Sequence, residues 1–233
     1  VLIWTDVAGI YTTDPRVVPE AKRIDTMSFA EAAEMATFGA KVLHPATLLP
    51  AVRSNIPVYV GSSKAPDAGG TWVTRDPQPR PTFRAIALRR DQTLLTLSSL
   101  SMLHAQGFLA NVFTILAKYK ISVDTITTSE VSIALTLDKT GSASSGVELL
   151  SPELLEELSQ YCTVKVDTGL SLVALIGNDL HLASGVAKRI FDTLEGYNIR
   201  MISYGASTNN ICMLAHSDKA DDVVRSLHKS LFE

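Results

Sequence analysis

The sequence is poor in several things, and each scarcity excludes something. Only two of its 233 residues are cysteine. Cys162 and Cys212 lie far apart, each within an apolar segment. They read as small buried apolar residues of a reducing compartment, so neither a disulfide nor a metal site is expected, and the location is expected to be cytoplasmic. No apolar run approaches the ~20 residues that cross a bilayer. Charged residues make up 19% and sum to −3, so nothing draws the chain to nucleic acid or to an anionic membrane. The five histidines (44, 104, 181, 216, 228) are dispersed and fit structural or surface positions rather than a ligand set. A Gly-x-x-x-x-Gly-Lys-Ser/Thr phosphate loop and a Gly-x-Ser-x-Gly elbow are both missing, so no catalytic constellation is expected in the chain. An initiator methionine is missing too. Val1 opens directly on the apolar run Val-Leu-Ile-Trp, which predicts a chain cut from something longer.

What is present begins with an α/β pattern over residues 1–74. Val1–Trp4 reads as a strand. Ser28 and Glu31 form a capping box that opens a helix running to Gly39. A second helix is predicted over about Pro45–Ser54, a buried strand over Ile56–Val60, and a short strand over Thr71–Thr74. Residues 75–82 hold three prolines at alternate positions, which suits neither helix nor paired strand and predicts a domain boundary.

Beyond that boundary the sequence repeats itself. A shift of 78 residues aligns Leu94 with Leu172, Gly107 with Gly185, Phe113 with Phe191, Tyr119 with Tyr197 and Ser129 with Ser207. Each copy reads as a strand (Thr93–Ser98; Ser171–Gly177), a loop ending in glycine, and a helix. The helices carry apolar stripes, Leu109, Val112, Phe113, Leu116 and Tyr119 in the first and Val186, Ile190, Phe191 and Leu194 in the second. Two strands follow, Ile121–Ser129 with Val131–Asp138 and Ile199–Ala206 with Asn210–Ala215. The closing helices are Pro152–Tyr161, capped by Ser151, and about Ala220–Leu231. The order β-α-β-β-α-β is that of a ferredoxin-like sandwich. Copy one ends with a strand, Thr163–Val166, whose counterpart in copy two would fall past Glu233. Phe83–Leu88 is therefore expected to supply that strand, with copy one inserted within copy two.

Two segments of the first unit could carry a nucleotide. Trp4–Arg16 follows the carboxyl end of a strand, where open α/β sheets bind ligands, and Phe38–Pro45 places Lys41 between two helices. Taken alone, both are equally readable as ordinary loops. In the repeat, Gly107 lets backbone approach a carboxylate at a helix N-terminus, and Asp124 and Glu130 flank the strand Thr125–Ser129. An amino acid with two amines needs two such negative partners. In copy two the same positions are Ile202 and Thr208. On pattern alone, the two carboxylates are also readable as solvated strand-end charges.

The strings WTDVAGIYTTDPR, FAEAAEMATFGAKVLHPAT, SMLHAQGFLANVFTILA and ISVDTITTSEVSIALTLD resemble the lysine-sensitive aspartokinases of bacteria, over the chain's whole length. That resemblance implies an α+β fold: tandem ferredoxin-like βαββαβ (ACT) modules preceded by the C-terminal part of an α/β amino-acid-kinase domain. The implied division is 1–80 for the kinase part, 93–167 for the first, inserted module, and 81–92 plus 168–233 for the second. The implied full-length activity is transfer of phosphate from ATP, with Mg2+, to the side-chain carboxylate of aspartate in lysine, threonine and methionine biosynthesis. Thr5, Asp6, Tyr11, Arg16, Lys41 and Val42 match the family's ATP site. Met102, Ala105, Phe108, Leu109, Ser122, Val123, Asp124, Ser129 and Glu130 match its allosteric lysine site, although some relatives have serine at the Ala105 position. The family's N-terminal Lys-Phe-Gly-Gly segment and its aspartate-binding residues have no match here, so this chain by itself is expected to be inactive. The implied partners are L-lysine as feedback inhibitor and a second copy of the chain, joined through first modules into a dimer or a tetramer. Two rival readings stand beside this one: the threonine-sensing region of a bifunctional aspartokinase–homoserine dehydrogenase, and a dimerisation module that has lost its ligand site.

Overall fold

The computed structural model describes residues 1–39, 45–102, 106–138 and 149–233, with only the backbone described at Pro45 and Ala46. Lys41, Val42, Ala105, His44 and His104 lie outside the described residues. In the first unit, strands β1 (Leu2–Thr5), β4 (Thr26–Ser28), β5 (Val58–Ser62) and β6 (Gly70–Thr74) form a sheet in the order β1-β5-β6-β4. The β1–β5 and β4–β6 pairings are parallel and β5–β6 is antiparallel. A separate ribbon of β2 (Ile10–Tyr11) and β3 (Arg23–Ile24) is tied to this sheet by buried Thr71. The Ile10 N–H donates to Thr71 Oγ1 at 2.8 Å, and the Thr71 hydroxyl donates to the Ile24 carbonyl at 2.6 Å.

Helix α1 (Phe29–Thr37) starts with the expected reciprocal cap: the Glu31 N–H donates to Ser28 Oγ at 3.1 Å and the Ser28 N–H to Glu31 Oε2 at 2.6 Å. Helix α2 (Pro45–Ser54) follows, and residues 75–82 carry neither helix nor strand.

The rest of the chain is organised on two long antiparallel strands, β7 (Phe83–Ser98) and β10 (Thr163–Gly177). At one end β12 (Asn210–His216) pairs with Leu170–Ile176 of β10, and β11 (Ile199–Tyr204) pairs with β12. At the other end β9 (Ser132–Asp138) pairs with Gln92–Ser98 of β7, and β8 (Thr125–Thr128) pairs with β9. The six strands run in the order β11-β12-β10-β7-β9-β8. Helices α3 (Phe108–Lys118) and α4 (Pro152–Ser159) cover the half built on β8 and β9; Val112, Ile115, Leu116, Leu154 and Leu158 meet Leu95, Leu97, Ile133, Leu135 and Leu137. Helices α5 (Val186–Thr193) and α6 (Ala220–Phe232) cover the other half in the same manner.

Several element boundaries differ from the sequence expectation, each for a physical reason. Phe83–Leu88 with Thr93–Ser98, and Thr163–Val166 with Ser171–Gly177, are two continuous strands rather than four. Their mutual pairing carries through the charged Arg89-Arg90-Asp91 interruption, absorbed by register irregularities around Asp167 and Leu170. The expected strand Ile121–Ser129 shrinks to Thr125–Thr128. Its start is held by the end of α3, where the Ile121 N–H donates to Leu116 O, and Ser129 already belongs to the hairpin turn, donating to Ser132 O at 2.8 Å. Leu109, Phe113 and Phe191 are 43%, 38% and 39% exposed, because the sheet covers less of each helix than the full apolar arc. Cys212 is buried as expected, whereas Cys162 is only partly so.

Among the described residues, the repeat places no helix of its own on the sheet's other face. Leu94, Leu170, Leu172, Ala174, Cys212 and Leu214 there form one apolar cluster with Ala32 and Met35 of α1. The first unit is thus seated on the repeat through α1.

Candidate functional site

Three places concentrate polar chemistry. The first lies past β1. Thr5 ends that strand and its hydroxyl donates to Asp6 Oδ1 at 3.1 Å. Tyr11 lies on β2, half-buried, and Arg16 is exposed a few residues on. Gly9, at φ 109°, lets this loop cross β6, since a Cβ there would stand 2.7 Å from Thr71 Oγ1. The Arg16 guanidinium grips Asp14 through three contacts, Nε to Oδ1 at 3.0 Å and to Oδ2 at 3.1 Å, and Nη2 to Oδ2 at 2.7 Å. That pairing holds the Asp14 carboxyl below the ordinary carboxylate range.

The second place is the β8 end of the sheet. Met102 and Phe108, by the Val131 end of β9, and Val123, beside Asp124 at the other end, each pack against the core beneath α3 and α4. Gly107 caps α3 with φ 83°, and nothing lies within 4 Å of where its Cβ would be, so the backbone at that helix start is open to approach. Asp124 follows Val123. Its Oδ1 takes an ion pair from Arg89 Nη1 at 3.2 Å, with the two side chains only 16% and 19% exposed. Its Oδ2 is buried and has no hydrogen-bond partner among the described residues. Burial pushes the Asp124 carboxyl above its ordinary range, and the Arg89 charge offsets only part of that. Glu130 stands elsewhere, exposed at the tip of the β8–β9 turn beside Ser129, whose hydroxyl shares a 2.7 Å hydrogen bond with that of Ser132. Asp124 and Glu130 therefore stand at opposite ends of β8, six residues apart and separated by up to about 20 Å at the ~3.3 Å rise of strand residues. Ser122 and Leu109 are exposed. Asp124 is legible in the sequence as a site residue and Arg89 is not, although the Arg89-Arg90 pair interrupting an apolar strand is its one local signal.

The third place joins the first unit to the repeat. Glu31 is fully buried, and its Oε1 accepts from Arg84 Nε of β7 at 2.7 Å and from Asn178 Nδ2, just past β10, at 2.7 Å. Burial alone would push this carboxyl up; the Arg84 guanidinium, the Ser28 N–H and the Asn178 amide outweigh it and hold Glu31 below the ordinary range. One turn on, the Glu34 carboxylate accepts from Ser207 Oγ at 2.8 Å and Asn210 Nδ2 at 2.7 Å. On the other side buried His228 of α6 shares a 2.9 Å hydrogen bond with the Thr12 hydroxyl. The sequence showed Glu31 as a cap and gave no sign of its second role.

Residues 1–62 match the amino acid kinase family and residues 173–231 match the ACT domain. The class is thus an amino-acid-kinase segment joined to an ACT domain. The chain is 68% identical over 231 residues to the lysine-sensitive aspartokinase 3 of Escherichia coli (strain K12), covering 99% of the chain and 51% of that protein. It is 41% identical over 239 residues to a chloroplastic aspartokinase 2 of Arabidopsis thaliana, covering 99% of the chain and 43% of that protein. The crystal structure of E. coli aspartokinase III with aspartate and ADP (R-state) superposes with a TM-score of 0.94 over all of this chain and 52% of that one. The same enzyme with lysine and aspartate (T-state) gives 0.89, at 67% identity and with the same coverage of both chains. The chain belongs to the aspartokinases and spans about half the length of the curated relatives it matches.

Proposed function

We propose that the chain is the lysine-sensing regulatory region of an aspartokinase, carried with part of its kinase domain. In the whole protein that domain would transfer phosphate from ATP to the aspartate side chain, and lysine would inhibit it. Residues 1–80 are the kinase part, 93–167 an inserted first ACT module, and 81–92 with 168–233 the second. The pairing of Phe83–Leu88 with Val173–Gly177 supports this division, because the first strand of that region completes the last sheet half.

The observation that carries the proposal is Asp124. A largely buried carboxylate with one oxygen lacking a partner among the described residues is where a ligand's ammonium would be held, and the repeat's other copy has Ile202 at that position. Val123 would flank the aliphatic stem beside Asp124. Met102, Phe108 and the open backbone at Gly107, which would take the carboxylate, lie at the Glu130 end of β8, where the Ser99 N–H donates to Val131 O, and would come from a second copy. Glu130 lies too far from Asp124 to serve the same lysine within one chain. It would reach the ligand bound to a second copy, so the site is complete only in a dimer made by first modules. Exposed Leu109 and Phe113, one turn apart on α3, give such an interface apolar surface. In the kinase part, Thr5, Asp6, Tyr11 and Arg16, with Lys41 and Val42, would hold ATP, and Mg2+ would arrive on its phosphates.

The test is a titration of lysine, threonine and methionine over a range of pH. Protonated Asp124 offers an ammonium no charge, so lysine affinity is full above the raised value and is lost as pH falls through it. The loss should begin at a higher pH than an ordinary carboxylate would give. Threonine binding more tightly than lysine, or lysine affinity flat down into the ordinary carboxylate range, would contradict the proposal.

A further inference from the structure

Arg89 lies between the candidate effector site and the first unit, and it touches both. Its guanidinium takes Oδ1 of Asp124 at 3.2 Å. Its backbone belongs to β7, opposite Leu172 of β10, on the sheet where α1 is seated. The close of α1 comes within contact distance there. A Cβ on Gly39 would stand 2.9 Å from Leu88 O and 3.4 Å from Arg89 Cβ, and Gly39 has φ 110°. Only glycine allows this approach. A displacement of β7 at Leu88–Arg89 therefore has no slack before it reaches α1, the helix that also carries Glu31 and Glu34 to the second sheet half.

We propose that Arg89 is a built-in rival of the effector's ammonium for the Asp124 carboxylate, and that losing the carboxylate to the effector shifts the strand position against which α1 ends. This rests on the reading of Asp124 as the ammonium partner. Two cations held on one largely buried carboxylate repel each other, so each weakens the other's hold, and more so where the effective dielectric is low. The ammonium can enter on Oδ2, which has no partner among the described residues, and as it does so the guanidinium is pushed from Oδ1. Arg89 then sets both the affinity and the coupling. It raises the effector concentration needed, and its displacement carries the signal to α1, as differential contacts in two arrangements require.

The experiment is a lysine titration of the 233-residue chain, at a pH well above the carboxylate range, for the natural sequence, Arg89→Met, Arg89→Lys and Asp124→Ala. Hydrogen exchange at α1 is followed with and without lysine. Arg89→Met should bind lysine about tenfold more tightly, a difference of ~1.4 kcal/mol, and Arg89→Lys should fall between. Lysine should alter α1 exchange in the natural sequence and leave it unaltered in Arg89→Met. Arg89→Met binding lysine equally or more weakly while keeping its melting midpoint would overturn the proposal. Should Arg89→Met not fold, Arg89→Lys decides: affinity no tighter than natural overturns it. Failure of the natural sequence itself to bind lysine would instead remove the reading of Asp124, and this inference with it.

Discussion

Glu31→Ala is expected to destabilise the chain by about 3–5 kcal/mol, the range for removing one member of a buried ion pair. Among the described residues the substitution leaves the Arg84 guanidinium, 8% exposed, with Pro79 O at 2.8 Å, and the Asn178 side-chain amide with Pro81 O at 2.9 Å. It also removes the acceptor for the Ser28 N–H at the start of α1. In a chain of this size the melting midpoint should fall by on the order of 10 °C. Adding Arg84→Met should recover part of the loss, because the stranded charge goes with it. Additive losses in the double variant would show that the two groups do not act as a pair. The pH dependence has a definite sign. Glu31 is held below its ordinary range, so its contribution is full above that range and disappears as pH falls through the lowered value. Glu31→Ala should therefore flatten the acid limb of the stability profile.

The second large effect is on binding. Asp124→Ala should weaken lysine by about ten- to a hundredfold, since a charge-assisted hydrogen bond contributes roughly 1.5–3 kcal/mol. At the equivalent place in the second half, Ile202→Ala and Thr208→Ala should leave lysine affinity nearly unchanged. The Ile202 contact across the sheet supports that expectation, for Thr127 Oγ1 donates to the Ile202 carbonyl, which alanine keeps. Calorimetry on the three variants decides, and equal losses in both halves would sink the assignment to the first module.

The duplication made much of this architecture legible. Gly107 and Gly185, aligned by the 78-residue shift, both occupy left-handed N-caps of helices, and the capping box at Ser28 and Glu31 forms as read. The pairing of Phe83–Leu88 with Val173–Gly177 follows from counting strands, because a sheet half short of one strand must find it elsewhere in the chain. What could not be read was contact between distant segments. Glu31, Arg84 and Asn178 are each unremarkable in local pattern, and only folding brings the carboxylate on α1 between a guanidinium from β7 and an amide from the loop past β10. Asp124 was visible as a charge missing from the other copy. Its ion pair with Arg89, and its distance from Glu130, depend on where β8 begins and ends, and the weak alternation of residues 121–129 did not fix that.

A lysine site in one half of the repeat, without a counterpart in the other, is the central expectation. Its most direct test is the number of lysine molecules bound per chain at saturation, measured by isothermal titration calorimetry. One per chain is predicted, since Asp124 has an apolar counterpart in Ile202 and an ammonium taken out of water needs a charged partner. Two per chain, or none, would contradict it.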